Sequence, residues 1–279
     1  MVITRSEFLK GASAALMTSG CLIPDDKTHP RYALQLFSIH KIFWSSPEKT
    51  LAALKRGGYD GVEFYDTGAR RANELRQMCL NAGLSAMGIH LNGDIALVGD
   101  ELKKTLDFAA EAGFESVVTP HALRNSADEY KAFGFMMGKA AEAAQRYGIK
   151  IGIHSTYHHF TTKYYGKTAW DMIYSETSPL LQQQIDTGNT FHTGSDLIGI
   201  LKKYRGRHYS IHAKENVPTQ SGIFGVRPTD GGKCVPWREV IQCMLNDLSQ
   251  RWWIVEAEGR PDSIEPALAC LKLLKTWNA

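Results

Sequence analysis

Cysteine is scarce in this chain. Its 279 residues hold five, Cys21, Cys79, Cys234, Cys243 and Cys270, and no two stand in C-x-x-C spacing. An odd, dispersed set excludes a disulfide framework and a structural zinc ribbon. A dominant charge is also lacking: 32 Lys and Arg face 29 Asp and Glu, for a formal charge of +3. That balance argues against a strongly basic nucleic-acid binder, so no nucleic-acid partner is expected. No apolar run reaches the roughly 20 residues of a membrane-spanning helix. Neither a G-x-G-x-x-G turn nor a P-loop occurs, which leaves dinucleotide and P-loop enzymes without support. Low-complexity tracts are missing too, and 43% of the residues are apolar, which rules out a disordered tail.

What is present begins with an address-like segment. Residues 1–20 read MVITRSEFLKGASAALMTSG. Arg5 and Lys10 precede a small apolar run, in the order of an export signal. The stretch R-S-E-F-L-K is similar to a twin-arginine pattern with Ser6 in place of the second Arg. Cys21 after Thr-Ser-Gly is similar to a lipoprotein cleavage site. Residues 1–27 are therefore read as export signal and linker, with a lipid anchor at Cys21 as an option, and 28–279 as the folded domain. The expected location is periplasmic or lipid-anchored; a cytoplasmic amphipathic extension is the alternative.

From Tyr32 the pattern alternates strand and helix. Expected strands are Tyr32–Ser38, Gly61–Tyr65, Leu84–His90, Glu115–Pro120, Ile149–His154, Leu181–Asp186, Tyr209–Lys214 and Trp252–Glu258. Helices between them are expected at Pro47–Arg56, Ala72–Ala82, Leu102–Ala112, Ala127–Tyr147, Ala169–Glu176, Asp196–Tyr204, Pro236–Leu248 and Ser263–Trp277. Ser46 and Ser195 are candidate N-caps, and Gly57, Gly83, Gly113 and Gly148 candidate stops. Strands joined by helical crossovers demand a parallel sheet. Eight such units in about 250 residues fit a single (β/α)8 TIM barrel better than an open sheet.

A barrel carries its chemistry at the C-terminal strand ends. This chain puts Glu63, His90, His121, His154 with His158 and His159, Asp186, His212 with Lys214, and Glu256 with Glu258 there. Histidines and carboxylates converging from several strands point to a metal or acid–base site.

At these residues the chain resembles the xylose isomerase-like TIM barrels, the sugar phosphate isomerase/epimerase group. LQLFSIH and GYDGVEFY resemble the family's first two strands. GIKIGIHSTYHHF resembles its strand with H-N-H-x-x-E-F. QIDTGNTFHTGSDLIGILKKYRGRHYSIHAKE resembles its stretch from the metal-binding Asp to H-x-K-D. WWIVEAEG resembles its final V-E-x-D strand.

The resemblance implies one divalent cation, held by Glu, Asp, His and Glu from four strands. The Asp falls on Asp186, the His on His212 and the last Glu on Glu256. The first Glu falls on His159, a departure; a shift of one turn would make His158 or His154 the ligand. Two imidazoles with two carboxylates put Mn²⁺ first, with Co²⁺, Zn²⁺, Fe²⁺ or Mg²⁺ as alternatives.

The implied reaction is metal-dependent isomerisation or epimerisation of a keto-sugar through an enediolate, with Glu256, His159 and Lys214 as catalytic candidates. The same enolate chemistry supports β-elimination from a 3-keto-glycoside, with His90, His154 or His158 as base. A non-catalytic sugar-binding barrel is a third option. His90, His154, His158, Glu63 and Lys214 are candidate sugar contacts, and Phe37 and Trp44 candidate stacking surfaces. The Gly225–Trp237 loop is expected to be mobile over the mouth. The expected partner is a small carbohydrate, with the protein a monomer or homodimer.

Overall fold

The computed structural model describes residues 30–91, 98–120, 122–216 and 221–278. The export segment, Cys21 and His121 lie outside these residues. Among the described residues no helix is long and apolar enough to cross a membrane.

Eight parallel strands close into a barrel. They are β1 (Arg31–Gln35), β2 (Gly61–Phe64), β3 (Ser85–His90), β4 (Ser116–Thr119), β5 (Lys150–His154), β8 (Gln182–Asp186), β9 (Ser210–Ala213) and β10 (Trp252–Val255). The expected single (β/α)8 barrel is the fold observed. β6 (Lys163–Tyr164) and β7 (Lys167–Thr168) form a separate antiparallel hairpin. The main helices are α1 (Pro47–Arg56), α2 (Ala72–Ala82), α3 (Gly99–Ala112), α4 (Ala127–Ala144), α6 (Ala169–Tyr174), α8 (Leu197–Lys203), α9 (Trp237–Leu245) and α10 (Glu265–Asn278).

Strand ends are shorter than the sequence pattern suggests. β1 stops at Gln35 because the Gln35 side chain accepts from Phe37 N and turns the chain into a 3₁₀ segment, Leu36–Ile39. Two short helices, α5 (Tyr157–Thr161) and α7 (Thr187–His192), follow β5 and β8 directly. Each is under two turns, too brief for a readable period. The cap of α8 is Asp196, whose Oδ1 accepts from Gly199 N, and not Ser195. Ser46 does precede α1, but without a side-chain cap bond.

The barrel interior is layered. At the N-terminal ends Glu115 receives Arg31, the Tyr209 hydroxyl and the Trp252 indole N–H, and Arg31 also lies over the Trp252 ring. Above this plug sits a small apolar layer of Ala33, Met87, Trp252 and Ile254. The polar residues of the C-terminal ends rest on that layer. A larger apolar shell packs between strands and helices.

Helix α4 buries Tyr130, Phe133, Gly134, Met137, Ala140, Ala141 and Ala144, the repeat of an amphipathic helix. Its backbone meets α6 closely. A Cβ on Gly134 would fall 1.9 Å from the Ile173 carbonyl oxygen, so only glycine fits. Gly134→Ala is expected to cost about 1–3 kcal/mol, the usual range for forced overpacking. Urea unfolding checks this, and an unchanged midpoint would mean that α4 can slide off α6 freely.

Candidate metal centre

The strand register brings the polar residues together. Asp186 of β8 pairs with His212 of β9, and His212 with Ile254 of β10. Glu256 follows two residues after Ile254, so the pleat returns it to the same face. His154 of β5 pairs with Gln184 of β8, and Gln35 of β1 with Glu63 of β2. All of these side chains are buried.

His154, Asp186, His212 and Glu256 each place one ligand atom so that all lie within 4.8 Å of one another. That spacing suits donors about 2.0–2.2 Å from a shared cation. The set matches three of the four expected ligands and replaces the fourth. His159 lies outside the cluster, because it belongs to α5. Its Nδ1 accepts from Thr156 N at 3.0 Å and its Nε2 lies 3.3 Å from the Ala122 carbonyl. The structure thus brings into the cluster the alternative candidate His154, which stands at the end of β5 itself, and not His159. His158 is also outside the cluster, with its ring against Tyr157.

Charge explains why the cluster suits a cation. Asp186, Glu256 and Glu258 surround the ammonium of Lys214. Its Nζ is 3.0 Å from Glu256, 2.9 Å from Glu258 and 3.6 Å from Asp186. Burial pushes Asp186 up to about 6, and Lys214 only partly counters it. Burial and the neighbouring Glu256 push Glu258 up to about 7. Burial pulls His212 down, but Glu63 and Glu256 outweigh it and raise it to about 10. Burial is the larger cause for Asp186 and Glu258, and in all three the neighbouring Glu256 carboxylate pushes the same way, upward. A divalent cation offsets such buried negative charge. The donor set, two imidazoles and two carboxylates, fits a borderline transition metal better than Mg²⁺.

Glu63 holds the floor of the site. Burial raises its pKa, yet His90 and His212 outweigh that and keep it well below the usual carboxylate range. Its Oε2 is 2.7 Å from His212 Nε2 and 3.2 Å from His90 Nε2. The other His212 nitrogen, Nδ1, points at Glu256. Ligating histidines commonly give their second nitrogen to a carboxylate in this way. His90 stacks flat on His212, with ring centroids 5.2 Å apart.

The remaining candidates sit further out. Phe37 is 44% exposed on the turn after β1, stacked on His40 and edge-on to Tyr65. Trp44 donates to Asp66 and lies under Arg70, which fixes it to the loop after β2. The Gly225–Trp237 loop is tied down by Glu215, whose carboxylate accepts from Asn216 N, Gly225 N, Val235 N and the Trp237 indole. Gln35 and Gln184 were not anticipated, although QQQID carries the hint. Alternation puts Gln182, Gln184 and Asp186 on one face, so an expected ligand implied a glutamine one pleat below it.

Comparison with known proteins follows the same lines. An inosose dehydratase of Bacillus licheniformis is 30% identical over 139 residues, 45% of this chain and 45% of that protein. One from Clostridium beijerinckii is 28% identical over 164 residues, 53% of each. The chain thus aligns with about half the length of these curated relatives. Among solved structures, a sugar phosphate isomerase/epimerase from Parabacteroides distasonis superposes with a TM-score of 0.75 at 17% identity, over 91% of this chain and 98% of that one. An L-ribulose 3-epimerase gives 0.67 at 15%, over 90% and 95%. The model of one family, described as the xylose isomerase-like TIM barrel, matches residues 51–274. Since that match runs from the first barrel helix into the last, the chain belongs to the xylose isomerase-like TIM barrel family.

Proposed function

We propose that this chain is a divalent-metal-dependent lyase that removes the proton beside a carbonyl of a keto-sugar or cyclic keto-polyol and expels a β-oxygen substituent. The observation that carries the reading is the adjacency of Lys214 and Glu256. The two groups are 3.0 Å apart, so a base and an acid stand side by side. His154, Asp186, His212 and Glu256 would hold the cation. When bound, a cation supplies Lewis-acid polarisation of the substrate carbonyl.

The chain's own groups divide the proton work. Glu256 has two oxygens with different neighbours: Oε2 faces His212 and Oε1 faces Lys214. Oε2 would be the oxygen that holds the cation, and Oε1 takes the proton from carbon. The C–H electrons form the new C=C bond, the β C–O bond breaks, and Lys214 gives a proton to the departing oxygen. The lost group is water from a keto-polyol or the aglycone from a 3-keto-glycoside. Inosose dehydratase, the name of the partial relatives, denotes an elimination of this kind.

Isomerisation or epimerisation is the second reading, favoured by the shared proton abstraction. Epimerisation needs two proton-handling groups on opposite faces of the substrate. His159, the expected second group, is engaged by Thr156 and Ala122 instead. Elimination with an adjacent acid and base avoids that requirement.

Two outcomes follow for the full chain reconstituted with Mn²⁺, Co²⁺ or Zn²⁺ and assayed by elemental analysis. About one ion per chain is expected, lost in His154→Ala and Asp186→Ala and retained in His159→Ala. Loss in His159→Ala with retention in His154→Ala would reverse the ligand assignment. With a 3-keto-glycoside carrying a chromogenic aglycone, Lys214→Met is expected to slow release by about 10²-fold or more. Exchange of the α-proton with deuterated water should survive that substitution. Exchange without release in the unsubstituted chain would favour isomerase over lyase.

A further inference from the structure

We propose that Gln184 is a positioning residue that fixes the tautomer of His154, and so decides which nitrogen this imidazole presents to the cluster. The inference rests on reading the cluster as a cation site, but its geometry stands in the protein alone.

A chain of hydrogen bonds starts from the backbone. Phe37 N donates to Gln35 Oε1 at 3.2 Å. A backbone N–H can only donate, so that end of the Gln35 amide is the oxygen. The other end, Nε2, then donates to Glu63 Oε2 at 2.7 Å. Glu63 is thus an acceptor, and its Oε1 receives Gln184 Nε2 at 2.8 Å. Ser210 Oγ receives the same nitrogen at 3.0 Å. With its NH₂ end assigned, the Gln184 amide turns its oxygen to the histidines. Oε1 lies 3.1 Å from His154 Nδ1 and 2.7 Å from His90 Nε2.

An amide oxygen only accepts, so His154 Nδ1 must carry hydrogen. A ligating imidazole is neutral and has one ring hydrogen. His154 Nε2 is therefore the lone pair, and it faces Asp186 Oδ2 at 3.7 Å. His212 differs: a carboxylate faces each of its nitrogens, Glu63 at Nε2 and Glu256 at Nδ1, so no amide selects one of them. Gln184 is buried in β8 and pairs with His154 across the strand register, so neither group can drift.

The test uses full-length, ¹⁵N-labelled protein stripped of metal, with His154 resonances assigned through His154→Asn. Long-range ¹H–¹⁵N spectra should show His154 as the Nδ1–H tautomer. An Nε2–H tautomer in the unsubstituted chain overturns the proposal without any Gln184 variant. In Gln184→Met the preference for Nδ1–H should be lost. Competition against a chelator should show Zn²⁺ or Mn²⁺ affinity reduced about 10–100-fold, the range for outer partners of metal ligands. Unchanged affinity with an unchanged tautomer would also overturn it. The spectra do not depend on cation binding. A chain that bound no cation would defeat the proposed function, while the His154 tautomer still decided this inference.

Discussion

A carboxylate without solvent stands at the end of β2. Burying an ionised Glu63 is costly unless every lone pair finds a donor. Gln35, Gln184, His90 and His212 supply those donors from four other strands. The site above depends on this arrangement. Remove the acceptor, and both glutamine amides and both imidazoles lose the partner that sets their direction. A buried carboxylate is thus tolerable only where the barrel has already closed, and closing the barrel is what assembles the site.

The barrel makes this convergence cheap in chain terms. Neighbouring strands are parallel throughout, so their C-terminal ends share one rim. Side chains two residues apart on a strand share a face. Gln184 and Asp186, His212 and Lys214, and Glu256 and Glu258 therefore enter the interior as stacked pairs. In the first pair the lower residue orients and the upper one can ligate. Beneath them the apolar layer of Ala33, Met87, Trp252 and Ile254 separates the polar rim from the Glu115 plug. The hairpin β6–β7 and the short helices α5 and α7 decorate the rim without entering the ladder.

Much of this was legible in the sequence because it is periodic. Helices α1 and α2 match their expected limits residue for residue. Glycine stops such as Gly83 and Gly113 adopt the left-handed φ that ends a helix, 70° and 76°. That Asp186, His212 and Glu256 share one cluster was legible because each lies at or just beyond the C-terminal end of its strand. His159 misled because H-S-T-Y-H-H-F reads as continuous strand and loop, whereas Thr156 starts a helix and carries His159 into a capping box. The histidine that joins the cluster is His154, the last residue of β5. Gln35 and Gln184 escaped notice because an uncharged amide shows nothing of its partners in sequence. Only the closed register reveals that they share Glu63.

Lys214 raises a physical question of its own: why a site suited to a dication should also contain a buried ammonium. Its Nζ bridges Asp186, Glu256 and Glu258, two of which belong to the ligand cluster. Without it, Asp186, Glu256 and Glu258 would repel one another in a low-dielectric interior. Glu258, the most exposed of the three, holds the ammonium from the solvent side. In the proposed elimination this ammonium, held against a base by charge, would be the proton donor, so stability and proton transfer would fall to one side chain.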